Sequence, residues 1–128
     1  MSKALVVDDS KTIRTIVRRI LTGLGYEVLE AENGLVALGV IEHEKAAVKL
    51  VLADWNMPEM NGLELVKRLR QNPELASLKV VMVTTETEIG QMASALAAGA
   101  NEYIMKPFTK DILQEKLDLM GISVLAAE

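Results

Sequence analysis

The run Val51-Leu52-Ala53-Asp54-Trp55-Asn56-Met57-Pro58 decides how this chain folds. Its short apolar start reads as a buried strand. The strand stops abruptly at an acid, and Pro58 forbids its continuation. Asp54 is therefore delivered to the carboxyl end of a buried strand. In an open α/β sheet that edge is where ligands bind.

Outward from this run, strand-like and helix-like patterns alternate. Ala4 to Val7 is a short apolar run closed by Asp8-Asp9, and Ser10 is suited to cap the helix that follows. Ile13, Ile16, Val17, Ile20, Leu21 and Leu24 recur at helical spacing, with Arg14, Arg18 and Arg19 between them. Gly25 ends that helix. Glu27 to Ala31 is a second, more polar strand, placed near an edge. Asn33-Gly34 opens a second helix with Ala37, Leu38 and Ile41 on its apolar side. After the third strand, Leu50 to Ala53, Asn61 and Glu64 have capping-box spacing, and Leu65, Val66 and Leu69 give helix three its buried stripe. Val80 to Val83 is strand four, followed by a helix carrying Ile89, Met92, Ala93 and Leu96. Tyr103-Ile104-Met105 is strand five, and Ile112, Leu113, Leu117 and Met120 mark the last helix. Five strand–helix pairs with short connections predict a parallel sheet covered by helices on both faces.

Composition agrees. The 128 residues are half hydrophobic, enough for one domain with a sizeable core. A net charge of −4 argues against a general nucleic-acid binder. With no cysteine there is neither a disulfide framework nor a thiolate metal site. No apolar run approaches the ~20 residues of a membrane span, and the N-terminus lacks a signal-peptide pattern. A cytoplasmic protein is expected.

The chemistry follows from the strand ends. Asp8 and Asp9 leave strand one, Asp54 strand three, Thr84 and Thr85 strand four, and Lys106 strand five. Parallel strands expose their carboxyl ends on one edge, about 4.8 Å apart. If strands one and three are neighbours, three carboxylates converge, and their repulsion calls for a cation. An all-oxygen site with few protein ligands suits Mg²⁺. Lys106 adds a point charge suited to phosphate and Thr84 a hydroxyl donor. Together they form a site for phosphoryl transfer, with an aspartate able to become the acceptor.

Four motifs, Val6-Val7-Asp8-Asp9-Ser10, Asp54-Trp55-Asn56-Met57-Pro58, Val83-Thr84 and Lys106-Pro107-Phe108, resemble the response-regulator receiver domain in that family's order and spacing. The likeness extends to about Met120. Tyr103 beside Lys106-Pro107-Phe108-Thr109 is similar to the family's single-domain chemotaxis members. The resemblance implies a flavodoxin-like, doubly wound (βα)5 three-layer sandwich, its five-stranded parallel sheet ordered 2-1-3-4-5. It makes residues 1–128 one receiver domain without an output domain, 121–128 being a short tail of unassigned role. By the same resemblance Asp54 accepts phosphate from a histidine kinase of the chemotaxis type. Mg²⁺ would be held by Asp9, Asp54 and the backbone carbonyl of Asn56, with Asp8 acting through water. Thr84 and Lys106 would grip the phosphoryl group, and Tyr103 would swing inward behind Thr84. The Lys106–Pro107 bond would be cis. The output would be a face built from helix four, strand five and helix five that binds a downstream protein, the flagellar motor switch being one candidate. The implied protein is a monomeric signalling switch that assists its own phosphorylation and dephosphorylation. It is not an enzyme and binds neither nucleic acid nor membrane.

Other readings weigh less. An acid after a strand is most often a turn former, but Asp54 is in register with Asp8, Asp9 and Lys106. A phosphorelay intermediate or phosphate-sink receiver would use the same site. A haloacid-dehalogenase-like phosphatase would want a second acid where Asn56 stands. A flavodoxin-like cofactor binder needs a phosphate-cradling loop where Asp8-Asp9 would repel phosphate. His43 reads as a solvated residue, and Trp55 as a partly exposed ring beside the site. Met82, Met105 and Met120 read as core filler, whereas Met92 lies on a helix that can face a partner. Glu88 and Ile89 stand where chemotaxis members carry lysines early in helix four, so the output face differs in charge.

Overall fold

Five strands and five helices alternate in the computed structural model, which describes residues 2–122 and, at 86, 87 and 89, the backbone alone. They are β1 (Lys3–Val7), α1 (Lys11–Gly23), β2 (Glu27–Ala31), α2 (Gly34–Glu44), β3 (Val48–Asp54), α3 (Gly62–Arg70), β4 (Lys79–Thr84), α4 (Met92–Ala98), β5 (Glu102–Met105) and α5 (Lys110–Leu119). All strands pair in parallel, in the order β2-β1-β3-β4-β5. This is the flavodoxin-like arrangement expected from the sequence. The tail beyond residue 122 lies outside the described residues.

Strand periodicity explains why β3 reads as an unbroken apolar run. Val51 and Ala53 face the core shared with Leu65, Val66, Leu69, Met82 and Ala95, under α3 and α4. Leu50 and Leu52 face the opposite core, with Val17, Leu21, Leu113 and Leu117 under α1 and α5. Side chains alternate across a strand, so a strand covered on both faces must be apolar throughout. The more polar β2 is an edge strand, as its composition suggested.

That edge is held by α1. Glu27 N–H donates to the Ser2 carbonyl, on the β1 side. Alternation therefore turns the backbone of Val28 and Glu30 to the open side. Arg18 Nη2 donates to the Val28 carbonyl at 3.2 Å. The Glu30 carboxylate is gripped by Arg14 Nε at 3.0 Å and Arg18 Nε at 2.7 Å.

Helix boundaries follow their caps. Ser10, Asn33 and Thr109 accept the N–H groups of Ile13, Val36 and Ile112, and Asn61 and Glu64 complete the capping box of α3. Past the end of α1, Gly25 takes the left-handed conformation that terminates it, at φ 97°. The fourth helix differs from the sequence expectation. Residues Glu86–Gln91 form a 3₁₀ turn and the α-helix spans only Met92–Ala98. Local chemistry favours the tighter turn: Glu88 N–H donates to the Thr85 carbonyl, and the Glu88 side chain bonds back to Thr85. The side chain of Ile89 lies outside the described residues. On α4 the buried pair is Met92 and Ala95, while Ala93 and Leu96 are exposed. Met92 thus belongs to the core rather than to a partner-facing surface. Conversely Met105, expected in the core, is 41% exposed, because β5 is an edge strand and its last residue lies past the helix cover. Ile16 and Ile112 also point outward from otherwise buried stripes.

Candidate functional site

β1 ends one residue before Asp8, β3 ends on Asp54, β4 ends on Thr84, and β5 ends one residue before Lys106. The pairing of Val7 with Ala53 and of Asp54 with Val83 keeps these ends level, so all four meet on one edge. Asp8, Asp9 and Asp54 each offer a carboxylate oxygen within 4.8 Å of the others. Lys106 Nζ lies 3.2 Å from Asp54 and 3.6 Å from Asp8. Asp8 and Asp54 are buried and Asp9 is exposed.

Each buried acid is aimed by a backbone amide. Ser10 N–H donates to Asp8 Oδ1 at 2.9 Å, and Trp55 N–H to Asp54 Oδ1 at 3.0 Å. Arg14 Nη1 donates to the Asp8 carbonyl at 2.6 Å, tying α1 to the same loop. Behind Asp54 the backbone is buttressed by α3: Gly62 N–H donates to the Trp55 carbonyl at 3.0 Å. A Cβ on Gly62 would lie 2.5 Å from the Asp54 carbonyl oxygen, so only glycine permits this approach.

Electrostatics are those of crowded, partly dehydrated acids. Burial, reinforced by the Asp8 charge, pushes the Asp54 carboxyl up to about 6, while Lys106 opposes the rise. Burial also raises Asp8, against the Ser10 amide and Lys106. For Lys106, burial works to lower its pKa, but the Asp54 and Asp8 charges outweigh it and hold the ammonium above its ordinary value. This donor set fits a hard divalent cation. Its span is comparable to the about 4.2 Å between opposite ligands of a Mg²⁺ octahedron, and it is made only of oxygens.

Thr84 is fully buried, and its hydroxyl donates to the Thr85 carbonyl at 3.2 Å. Tyr103 is half-buried against the core under α3 and α4, with Lys116 Nζ 4.9 Å from its ring centre. Trp55 is partly exposed, as expected, and His43 is solvated. The Lys106–Pro107 bond is cis. The Asn56 side-chain amide donates to Glu88 Oε2. Sequence reasoning gave no role to Arg14 or Gly62 and took Glu88 only as a surface charge. The spacing of Glu88 three residues after Thr85 is that of a reciprocal cap, and is the signal that could have found it.

The model of the response regulator receiver domain matches residues 4–118. A Chemotaxis protein CheY homolog of Campylobacter jejuni is 50% identical over 121 residues, covering 93% of this chain and 92% of the relative. Chemotaxis protein CheY1 of Helicobacter pylori is 48% identical over 119 residues, covering 92% and 95%. Among solved structures, the chemotaxis protein CheY4 of Vibrio cholerae superposes with a TM-score of 0.84 at 37% identity, covering 94% of this chain and 98% of that one.

Proposed function

Because this chain belongs to the response regulator receiver domain family, we propose that it is a phosphorylation-switched signalling protein with Asp54 as the phosphoacceptor. The convergence of Asp8, Asp9 and Asp54 with Lys106 carries this reading. A carboxylate oxygen of Asp54 attacks the phosphorus of a phosphohistidine on a histidine kinase. The P–N bond breaks as the P–O bond forms, and the departing imidazole recovers a proton from water. Asp9, Asp54 and the Asn56 carbonyl, with Asp8 through water, would hold Mg²⁺, which would supply charge neutralisation on the transferred oxygens. Lys106, already 3.2 Å from Asp54, supplies a second positive charge.

The new group brings roughly −2 charge and strong acceptor oxygens. Thr84 then turns its hydroxyl from the Thr85 carbonyl to the phosphoryl oxygen. The space vacated beside β4 admits the half-buried Tyr103 ring, and the α4–β5–α5 face changes shape. A ligand shifts such an equilibrium only by its preference for one state, and these contacts exist only in the phosphorylated one. The relatives named as chemotaxis proteins make chemotaxis the pathway we assign.

Incubation with acetyl phosphate and Mg²⁺, followed by mass spectrometry, should add one phosphoryl group to the wild type and none to Asp54→Asn. Label persisting in Asp54→Asn would refute the assignment. Thr84→Ala should still be labelled, yet should gain much less partner affinity with beryllofluoride, a stable phosphoryl mimic. An equal gain would show that the signal takes another path.

A further inference from the structure

The turn between β4 and α4 reaches the loop that follows Asp54 through one side chain. Glu88 Oε1 accepts the Thr85 N–H and the Thr85 hydroxyl, each at 3.1 Å. Its other oxygen accepts the side-chain amide of Asn56, two residues past Asp54 in the loop that follows β3. One carboxylate thus spans two loops that belong to different strands, and it brings a fourth negative charge to an edge that already holds Asp8, Asp9 and Asp54.

We propose that Glu88 is a positioning residue for phosphorylation: it latches the turn after β4 onto Asn56 in the resting protein and holds a negative charge against the incoming phosphoryl group. The inference rests on Asp54 as phosphoacceptor. Glu88 acts on the site electrostatically as well as sterically: behind burial and Asp8, it adds to the forces that raise Asp54, and it also helps to raise Lys106. In the resting state this charge favours a bound cation. Once a phosphoryl group arrives, the same charge repels it. The Glu88 carboxylate must then withdraw, the Asn56 amide loses its acceptor, and the turn is released just where Thr84 has to move. Cation binding and phosphoryl binding therefore feel Glu88 with opposite sign.

Glu88→Gln tests this, because it removes the charge and keeps both the shape and an oxygen that can accept from Thr85. Titrations are followed by the fluorescence of Trp55, the only tryptophan, first with Mg²⁺ alone and then with beryllofluoride at saturating Mg²⁺. The variant should bind Mg²⁺ roughly two- to fourfold more weakly and beryllofluoride roughly three- to tenfold more tightly. Both differences should shrink in high salt, and Glu88→Lys should move further in both directions. A residue that merely shaped the turn would weaken both ligands together or change neither. Either result overturns the latch. If the wild type binds Mg²⁺ but not beryllofluoride, the phosphoacceptor assignment fails and the latch with it.

Discussion

Asp54 holds its proton more tightly than an ordinary aspartate because it is buried beside Asp8, with only Lys106 to offset the crowding. Its pKa is raised from 3.8 to about 6 on folding. Stability from the neutral form is therefore fully present below about pH 4 and is lost as pH rises through about 6. In Mg²⁺-free buffer the wild type should lose on the order of 1–3 kcal/mol between pH 4 and 7.5 from this group. Asp54→Asn should lack that loss and be the more stable protein at pH 7.5. Denaturant unfolding at the two pH values measures both. Lys106 occupies the place where cation charge is wanted, so Lys106→Ala should tighten Mg²⁺ by roughly threefold or more while impairing phosphorylation; isothermal calorimetry reads the first and acetyl phosphate labelling the second. Asp8, Asp9, Asp54 and Lys106 were legible in the sequence because a strand-ending acid and a lysine before proline are local signals. The bonds of Arg14 to Glu30 and of Asn56 to Glu88 were not, because their partners lie 16 and 32 residues apart.

At the level of the element, α3 is what keeps Asp54 still. Its first residue is pressed against the Asp54 carbonyl, and a methyl group there would meet that backbone oxygen, which cannot yield, as well as the end of the Met82 side chain, which can. Gly62→Ala should cost roughly 1–3 kcal/mol through overpacking, and should perturb Trp55 fluorescence, because the strain falls on the peptide between Asp54 and Trp55. Asn61→Ala removes only the cap of the same helix and should cost about 1 kcal/mol, with the Trp55 signal unchanged. Thermal melts paired with emission spectra separate the two. The strands were readable because burial on both faces leaves an unbroken apolar run. The fourth helix was not, since Ile89, Ala93 and Leu96 mimic helical spacing. The reciprocal bonds between Glu88 and Thr85 instead tighten the first turn, a preference that hydrophobic periodicity does not encode.

Across the whole molecule, function and fastening occupy opposite edges of the sheet. The acids gather at the carboxyl ends of the strands. At the amino ends, Arg70 at the close of α3 donates to the carbonyls of Gly99 at 3.0 Å, Leu75 at 2.8 Å and Leu78 at 2.7 Å. It also bonds Asn101 Oδ1 at 2.8 Å, whose oxygen receives Val80 N–H as well. One guanidinium thereby joins α3, the entry to β4 and the turn into β5. Arg70→Ala should cost on the order of 2–4 kcal/mol, because several half-buried carbonyls lose a charged donor. Mg²⁺ affinity should be unchanged, and the loss should add to the effect of Asp54→Asn. Denaturant unfolding of the single and double variants checks both points.

The bond from Arg18 to the Val28 carbonyl has a consequence for how copies of this protein treat one another. An exposed edge strand is a template on which another chain can lay a strand of its own and lengthen the sheet. A newcomer at β2 would have to displace Arg18 from the carbonyl it needs, and would meet Glu30 already engaged by two arginines. At β2 the Val28 carbonyl is thus already taken by the protein's own side chain, which disfavours the growth of a ribbon from this edge in a concentrated solution.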